Sequence, residues 1–285
     1  MPSDTLTLLT KSLPWLIPFF LRRAFQRLAA HWHSLTYNET PNPKHVVVIG
    51  GSFAGLQLVS RLAESLPTGY KMLWIEKNSH LHYCFAFPRF SVLPGFEARA
   101  FIPYSGVEGV APRGILERVQ ARAVDVADGS VRLEDGLVVD YEYLVIATGS
   151  TRPVPGQVHS TGRAEGCDEL RAVQGVIQES QRIAAVGAGA VGVELAADIK
   201  DVYPEKEVTL VHSRSQVLNR FGGRLQEYAL DALRELDVRV LLNERPRVPD
   251  EGGIVKSAAL VFSDGREEVF DLVVGLTSLQ LELGY

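Results

Sequence analysis

Two short segments of this chain carry glycine at the spacing that lets a backbone close on phosphate. The first is Gly50-Gly51-Ser52-Phe53-Ala54-Gly55; the second is Gly187-Ala188-Gly189-Ala190-Val191-Gly192, 137 positions further on. Each follows a short apolar run, Val46–Ile49 or Ile183–Val186, and each opens a stretch of helical periodicity. A strand, a sharp turn and a helix start aim backbone N–H groups and the positive helix end at a pyrophosphate. One such turn is a weak signal, since glycine-rich turns also arise with no ligand. Two in one chain point to two dinucleotides held face to face, one a flavin and one a nicotinamide.

The middle position of the first turn is Ser52 rather than glycine, which narrows the space and adds a hydroxyl donor. Lys71–Glu76 reads as the next strand. Glu76, 21 residues after Gly55, stands where a carboxylate accepts hydrogen bonds from both ribose hydroxyls. Strand, turn, helix, strand and acid in that order make an accidental turn the poorer explanation. Val124–Val139 alternates in short strands broken at Asp128-Gly129 and Asp135-Gly136, which reads as a β-meander. It runs into an apolar strand ending Ala147-Thr148-Gly149, the crossover out of the first nucleotide domain, and Pro153 and Pro155 mark the exit.

In the second turn Gly187, Gly189 and Gly192 match the fingerprint in full, and Val193–Ile199 continues as a helix. Glu194 has two readings: it complements the helix dipole, or its carboxylate lies near the nicotinamide carboxamide, the one direct part in the chemistry assigned to a side chain. The next strand, Glu207–His212, ends without an acid. His212, Ser213 and Arg214 stand there instead, facing the adenosine ribose. An acid would repel a 2′-phosphate, whereas Ser213 and Arg214 would bind one. NADPH is therefore at least as acceptable as NADH, although an exposed arginine after a strand is also common.

These turns need domains to hold them. A chain of 285 residues with 46% hydrophobic residues allows roughly two. The net charge is -5 and no long basic run follows the first 40 residues, so no nucleic-acid partner is expected. Cys84 and Cys167 form no CxxC pair, which excludes a disulfide scaffold, a zinc ribbon and the flavoproteins that keep neighbouring thiols beside the flavin. The histidines show no ligand spacing, so no catalytic metal is expected. No Tyr-x-x-x-Lys pair supports a short-chain dehydrogenase: Tyr70, Tyr143 and Tyr203 are followed four residues later by Trp74, Ala147 and Glu207.

The N-terminal segment differs from the rest. Between Asp4 and Glu39 no acid occurs, while Lys11, Arg22, Arg23 and Arg27 are basic. Leu13–Leu21 is apolar over about nine residues, too few for a span of ~20. Pro14 and Pro18 argue against one straight helix there. Phe20, Leu21, Phe25, Leu28 and Trp32 recur at helical spacing among the arginines, as in an amphipathic helix at a membrane surface or a mitochondrial-type presequence. The alternative is a helix packed on its own globular domain. Tyr37–Pro43 reads as a linker.

Val46–Gly55, His80–Pro103, Tyr141–Ser150 and above all Gly187–His212 resemble the apoptosis-inducing-factor-like branch of the pyridine-nucleotide flavin oxidoreductases. Within it they are most similar to the mitochondrion-associated and ferroptosis-suppressor type NAD(P)H–quinone oxidoreductases and their fungal relatives. The resemblance implies an α/β fold with two Rossmann-like dinucleotide-binding domains behind an N-terminal amphipathic segment. It implies FAD and NADPH or NADH as cofactors, and a hydride passed to the flavin with electrons then going to a quinone-like acceptor. By the same resemblance Arg89 contacts the flavin nucleotide, Ala121 meets the adenine through its backbone, Glu194 lies beside the nicotinamide, and His82 sits close to the flavin. A loop histidine satisfied locally is the plainer reading of His82.

The expected divisions are 1–43 for the amphipathic segment and linker, 44–160 for the FAD domain with its meander, and 161–285 for the NAD(P) domain. Val269–Val274 reads as the last strand of the latter. The family pattern then returns to the flavin domain with a Gly-Asp pair and an interface domain, whereas this sequence runs Gly275 to Tyr285 without them. The expectation is a C-terminally truncated relative with an incomplete FAD domain and a nearly complete NAD(P) domain. The alternative function is a non-catalytic nucleotide-binding remnant. The expected location is cytoplasmic, with membrane or mitochondrial association through the first segment.

Overall fold

The computed structural model describes residues 2–109, 111–248, 253–276 and 280–281. The described residues divide into two compact units, one within 2–77 and 104–148, the other within 78–103 and 149–281.

In the first unit the strands Lys44–Ile49, Tyr70–Ile75, Leu116–Val119 and Tyr143–Ile146 form a parallel sheet. Their spatial order is third, second, first, fourth, the half-sheet order of a dinucleotide fold. Val46 to Ile49 lie in the middle and are buried, as a continuous β-branched run requires when both faces of a parallel sheet are covered. The helix Phe53–Ala63 presents Gly55, Val59 and Ala63 to the interior. The meander Ala123–Ala127, Ser130–Leu133 and Val138–Asp140 is antiparallel, and its Val131, Leu133 and Val139 share a core with Val47, Ile49, Leu73 and Ile75.

The second unit repeats the plan. The strands Arg182–Val186, Glu207–His212, Arg239–Leu242 and Glu267–Gly275 are parallel in the same third, second, first, fourth order, and Gly253–Val261 adds an antiparallel edge. The helices Arg163–Glu179, Ala190–Val202 and Gly223–Glu235 belong to this unit. Residues 78–103 pack here as well. Phe87 and Phe101 bury against Cys167 and Leu170 of the Arg163–Glu179 helix. Gln174 Nε2 donates to the Phe90 carbonyl at 2.7 Å and to the Glu97 carboxylate at 2.8 Å. The division at residue 160 follows the motifs; packing assigns 78–103 by where its aromatic side chains find cover. The break between the units falls between Thr148 and Gly149, inside the Ala-Thr-Gly triplet.

The N-terminal segment is one helix, Pro2–Thr36, and it continues through Pro14 and Pro18. The sequence argument from the prolines is corrected: each removes one backbone hydrogen bond, and the flanking turns carry the helix across. The large apolar side chains from Leu13 to Leu35 are exposed, so the helix does not bury its apolar face on its own unit. Among the described residues no helix is long and apolar enough to cross a membrane. Residues 277–279 and 282–285, on which part of the expected C-terminal departure falls, lie outside the described residues.

Candidate functional site

The two glycine turns are built by the same set of backbone bonds. In the first unit Gly50 N–H donates to Ile75 O at 2.9 Å, Ala147 N–H to Ile49 O at 2.8 Å and Leu56 N–H to Ser52 O at 2.8 Å. In the second Gly187 N–H donates to Val211 O at 2.8 Å, Leu276 N–H to Val186 O at 2.9 Å and Val193 N–H to Gly189 O at 3.0 Å. Leu276 thus takes the place that Ala147 has in the first unit.

Glycine is required at the ends of each turn for a steric reason. Gly50 and Gly187 have φ of 106° and 122°, which side chains with a Cβ rarely adopt. A Cβ on Gly55 would strike the Gly50 carbonyl oxygen, and one on Gly192 would strike that of Gly187. The middle position differs. A Cβ on Gly189 would meet nothing of the protein within 4 Å. That glycine leaves room outside the fold, where a phosphate would approach the helix start.

The helix starts are open. Ser52 and Gly189 are the N-caps, both extended, and neither makes a side-chain capping bond. The Ser52 hydroxyl is therefore not spent on its own helix, and Ser52, Phe53 and Ala54 are exposed. Helix-start N–H groups with no capping oxygen are suited to an anion.

The side chains at the ends of the second strands complete each turn. Glu76, buried at 5% exposure, accepts a hydrogen bond from Gly51 N–H through Oε2. His212 does the same in the second unit, its Nδ1 accepting from Ala188 N–H at 3.2 Å. Gly51 and Ala188 hold equivalent places, each one residue after the first glycine. An accepting Nδ1 places the imidazole proton on Nε2. Burial, then the nearby Arg214 cation, hold His212 below the ordinary histidine pKa and keep it neutral. Ser213 and Arg214 follow it and are exposed, and among the described residues the Arg214 guanidinium has no carboxylate partner.

Glu194 is half-buried on the Ala190–Val202 helix. Burial raises its pKa first and the Asp198 carboxylate second, against the lowering field of Arg89. Arg89 spends its guanidinium on the same helix: Nη1 bonds Asp198, and both terminal nitrogens reach Asp201 at 3.1 and 3.2 Å. The side chain assigned by resemblance to the flavin nucleotide is thus joined here to the Glu194 helix. Thr148 and Gly149 end the fourth strand's crossover, with Gly149 at φ 82°. Ala121 is buried and its N–H donates to Val119 O at 3.1 Å. His82 packs edge-on to Phe101 at 5.1 Å between centroids, in the second unit.

Two residues that sequence reasoning did not single out support the first turn. Trp74 Nε1 donates to Gly50 O at 3.2 Å, and the Tyr104 hydroxyl donates to Gly51 O at 3.1 Å. Their rings meet edge to face at 4.7 Å. Trp74 lay in a recognised strand, so its burial was legible; Tyr104 is brought in from 53 residues away and carried no local signal.

Comparison with known proteins bears on the same residues. The family model for pyridine nucleotide-disulphide oxidoreductases matches residues 44–277. Fe-regulated protein 8 of Mycosarcoma maydis is 32% identical over 252 residues, 81% of this chain and 63% of that protein. Ferroptosis suppressor protein 1 of Mus musculus is 33% identical over 206 residues, 70% of this chain and 52% of that protein. The chain thus spans between half and two thirds of the length of these relatives. Among solved structures, the ferredoxin reductase for the CYP199A2 system of Rhodopseudomonas palustris superposes with a TM-score of 0.64 at 21% identity, over 83% of this chain and 59% of that one. The Lactobacillus brevis water-forming NADH oxidase, solved with NADH, gives a TM-score of 0.63 at 16% identity, over 83% of this chain and 54% of that one. Both likenesses establish the fold.

Proposed function

The chain belongs to the pyridine nucleotide-disulphide oxidoreductase family, and from that premise we propose that it is an FAD-dependent NAD(P)H oxidoreductase delivering electrons to a small quinone-like acceptor. The observation that carries the reading is the repeated turn, in which Gly51 N–H is held by Glu76 and Ala188 N–H by His212. A protein with one nucleotide has no use for the second.

The open space at Gly189 and the uncapped N-termini fit dinucleotides at both turns. In this reading Gly50, Gly51, Ser52, Phe53, Ala54 and Gly55 hold the flavin pyrophosphate, with Glu76 on the adenosine ribose. Thr148 and Ala121, in the same unit, complete that site; Arg89 and Gly149, also expected there from the sequence, belong to the other unit, where Arg89 binds Asp198 and Asp201. Gly187, Gly189 and Gly192 hold the nicotinamide dinucleotide, with His212, Ser213 and Arg214 at its ribose. A neutral His212 and a cationic Arg214 carry no repulsion for a 2′-phosphate, which favours NADPH. A bound flavin would supply hydride acceptance and onward electron transfer. In this reading Glu194 orients the nicotinamide through its carboxamide. The motif divisions 44–160 and 161–285 describe the two nucleotide domains, and a peripheral membrane contact through residues 13–32 belongs to the same reading.

The test is a visible absorption spectrum of the full chain after incubation with FAD, before and after NADPH without oxygen, and then with a soluble quinone. Expected are a bound flavin spectrum, bleaching by NADPH and recovery with quinone. Protein that takes up no flavin and oxidises no NADPH overturns the proposal.

A further inference from the structure

The N-terminal helix carries two stripes on opposite sides. Arg23, Gln26, Ala30 and His33 are the partly buried positions of its second half, and Tyr37, just past its end, continues them. Three of them tie the helix to its own unit: Gln26 accepts from Arg61 at 3.2 Å, His33 Nε2 donates to Leu66 O at 2.8 Å, and the Tyr37 hydroxyl donates to Tyr70 O at 2.9 Å. Leu21, Phe25, Leu28, Trp32 and Leu35 form the other stripe, with steps of four and three residues. At 3.6 residues per turn it lies roughly half a turn away from the docked one. Its members are 57% to 72% exposed.

The geometry points to an anionic phospholipid surface as the occupant of this stripe, an inference that rests on the peripheral-contact reading and fixes the face, extent and charge of that contact. The helix's own unit is excluded, because the docked stripe holds it on the other side. A second copy of the chain is disfavoured by charge and length. From Thr5 to Asn38 there is no acid, and Arg22 and Arg27 flank the stripe on either side, so two copies would bring cation against cation. The stripe spans about two heptads, short of the three to four that mark a coiled coil. A bilayer interface answers both features. Its acyl boundary takes Phe25, Leu28 and Trp32, and its headgroup phosphates take the flanking arginines. Trp15, Phe19 and Phe20, also exposed, extend the aromatic content toward the chain start, as suits the interfacial layer. Since the docked stripe holds the helix to the first unit, the surface would also fix that unit's orientation.

The test is co-sedimentation of the full chain with vesicles of phosphatidylcholine alone and of phosphatidylcholine mixed with phosphatidylserine, at low and high salt. Expected is binding to the mixed vesicles, weakened by salt and roughly tenfold or more weaker on phosphatidylcholine alone. The double substitution Phe25→Glu with Trp32→Glu should reduce binding roughly tenfold or more, and so should Arg22→Gln with Arg27→Gln. Ser34→Glu, off the stripe, should retain it. All these positions are exposed, and circular dichroism checks that each variant is folded. Equal binding to both vesicles, no binding, or binding that survives Phe25→Glu with Trp32→Glu overturns the inference. So does a dimer in sedimentation equilibrium that this double variant dissolves without vesicle binding in the parent. Nucleotide binding is read separately by absorbance, so loss of vesicle binding with flavin uptake intact sinks this inference alone, and the reverse sinks the oxidoreductase reading alone.

Discussion

Ala188 donates its backbone N–H to Nδ1 of His212, 24 residues further on, in the place where Gly51 donates to a carboxylate. An imidazole thus does in the second unit what a carboxyl group does in the first. Replacing His212 by Glu keeps an acceptor for Ala188 but sets a negative charge at the ribose. NADPH should then bind at least about tenfold more weakly, with NADH affected less. Titrations with both nucleotides check this. Equal losses would remove His212 from the ribose.

The same bond makes the second unit sensitive to acid. Its acceptor exists only while the imidazole is neutral, and His212 titrates below its unfolded value of 6.5. With a depressed folded pKa, the unfolded chain binds the proton first. The contribution is present above 6.5 and is lost as pH falls toward the folded value. Urea midpoints should fall in that window, and the fall should shrink in His212→Asn.

Arg89 is the cation for a helix face that buries carboxyl groups. Burial raises Asp198 first, and Arg89 opposes it; Glu194 is raised in the same way. Removing the guanidinium in Arg89→Met should lift both further. Carboxyls raised above their unfolded pKa favour the folded state at low pH, and that advantage is lost as pH rises through the folded values. The variant should lose about 1 kcal/mol near pH 8 and less near pH 5, a modest figure because the Arg89 side chain is 36% exposed. Urea unfolding at the two pH values measures it.

The glycines of the second turn should separate folding from binding. Gly192→Ala drives a Cβ into the Gly187 carbonyl and should cost about 2–3 kcal/mol of stability. Gly189→Ala meets no protein atom and should change stability by less than about 0.5 kcal/mol. It should still weaken NADPH binding about tenfold or more, since the methyl occupies the pyrophosphate approach. Thermal melts and nucleotide titrations on both variants decide the matter.

Tyr104→Phe removes the hydroxyl that holds Gly51 O and should destabilise the first unit by about 1 kcal/mol. If flavin uptake falls by no more than that implies, Tyr104 supports the turn without touching the ligand.

Much of this was legible in the sequence because it is local. The β-branched run Val46–Ile49, the glycine spacings and the strand ends at Glu76 and His212 each sit within one strand–turn–helix–strand unit, where periodicity and sterics act directly. The two Rossmann-like domains followed from the motifs, and the strand order within them came from the structure. What the sequence does not carry is long-range. Nothing near Arg89 told of Asp198 and Asp201, 109 and 112 residues away, and packing of Phe87 and Phe101 drew 78–103 to the second unit. Pro14 and Pro18 misled for the opposite reason, since a local rule was applied where the flanking helix turns decide.

The three tryptophans divide along the same lines. Trp15 and Trp32 lie open to water on the N-terminal helix, and Trp74 is fully buried with its indole N–H under the first turn. Excited together, the open pair emits toward the red and the enclosed one toward the blue. A flavin seated over Gly50 would drain the blue component by energy transfer, while immersion of the helix in lipid would shift the red one. The chain therefore carries its own optical label for each event, and the two can be followed in one cuvette without chemical tagging.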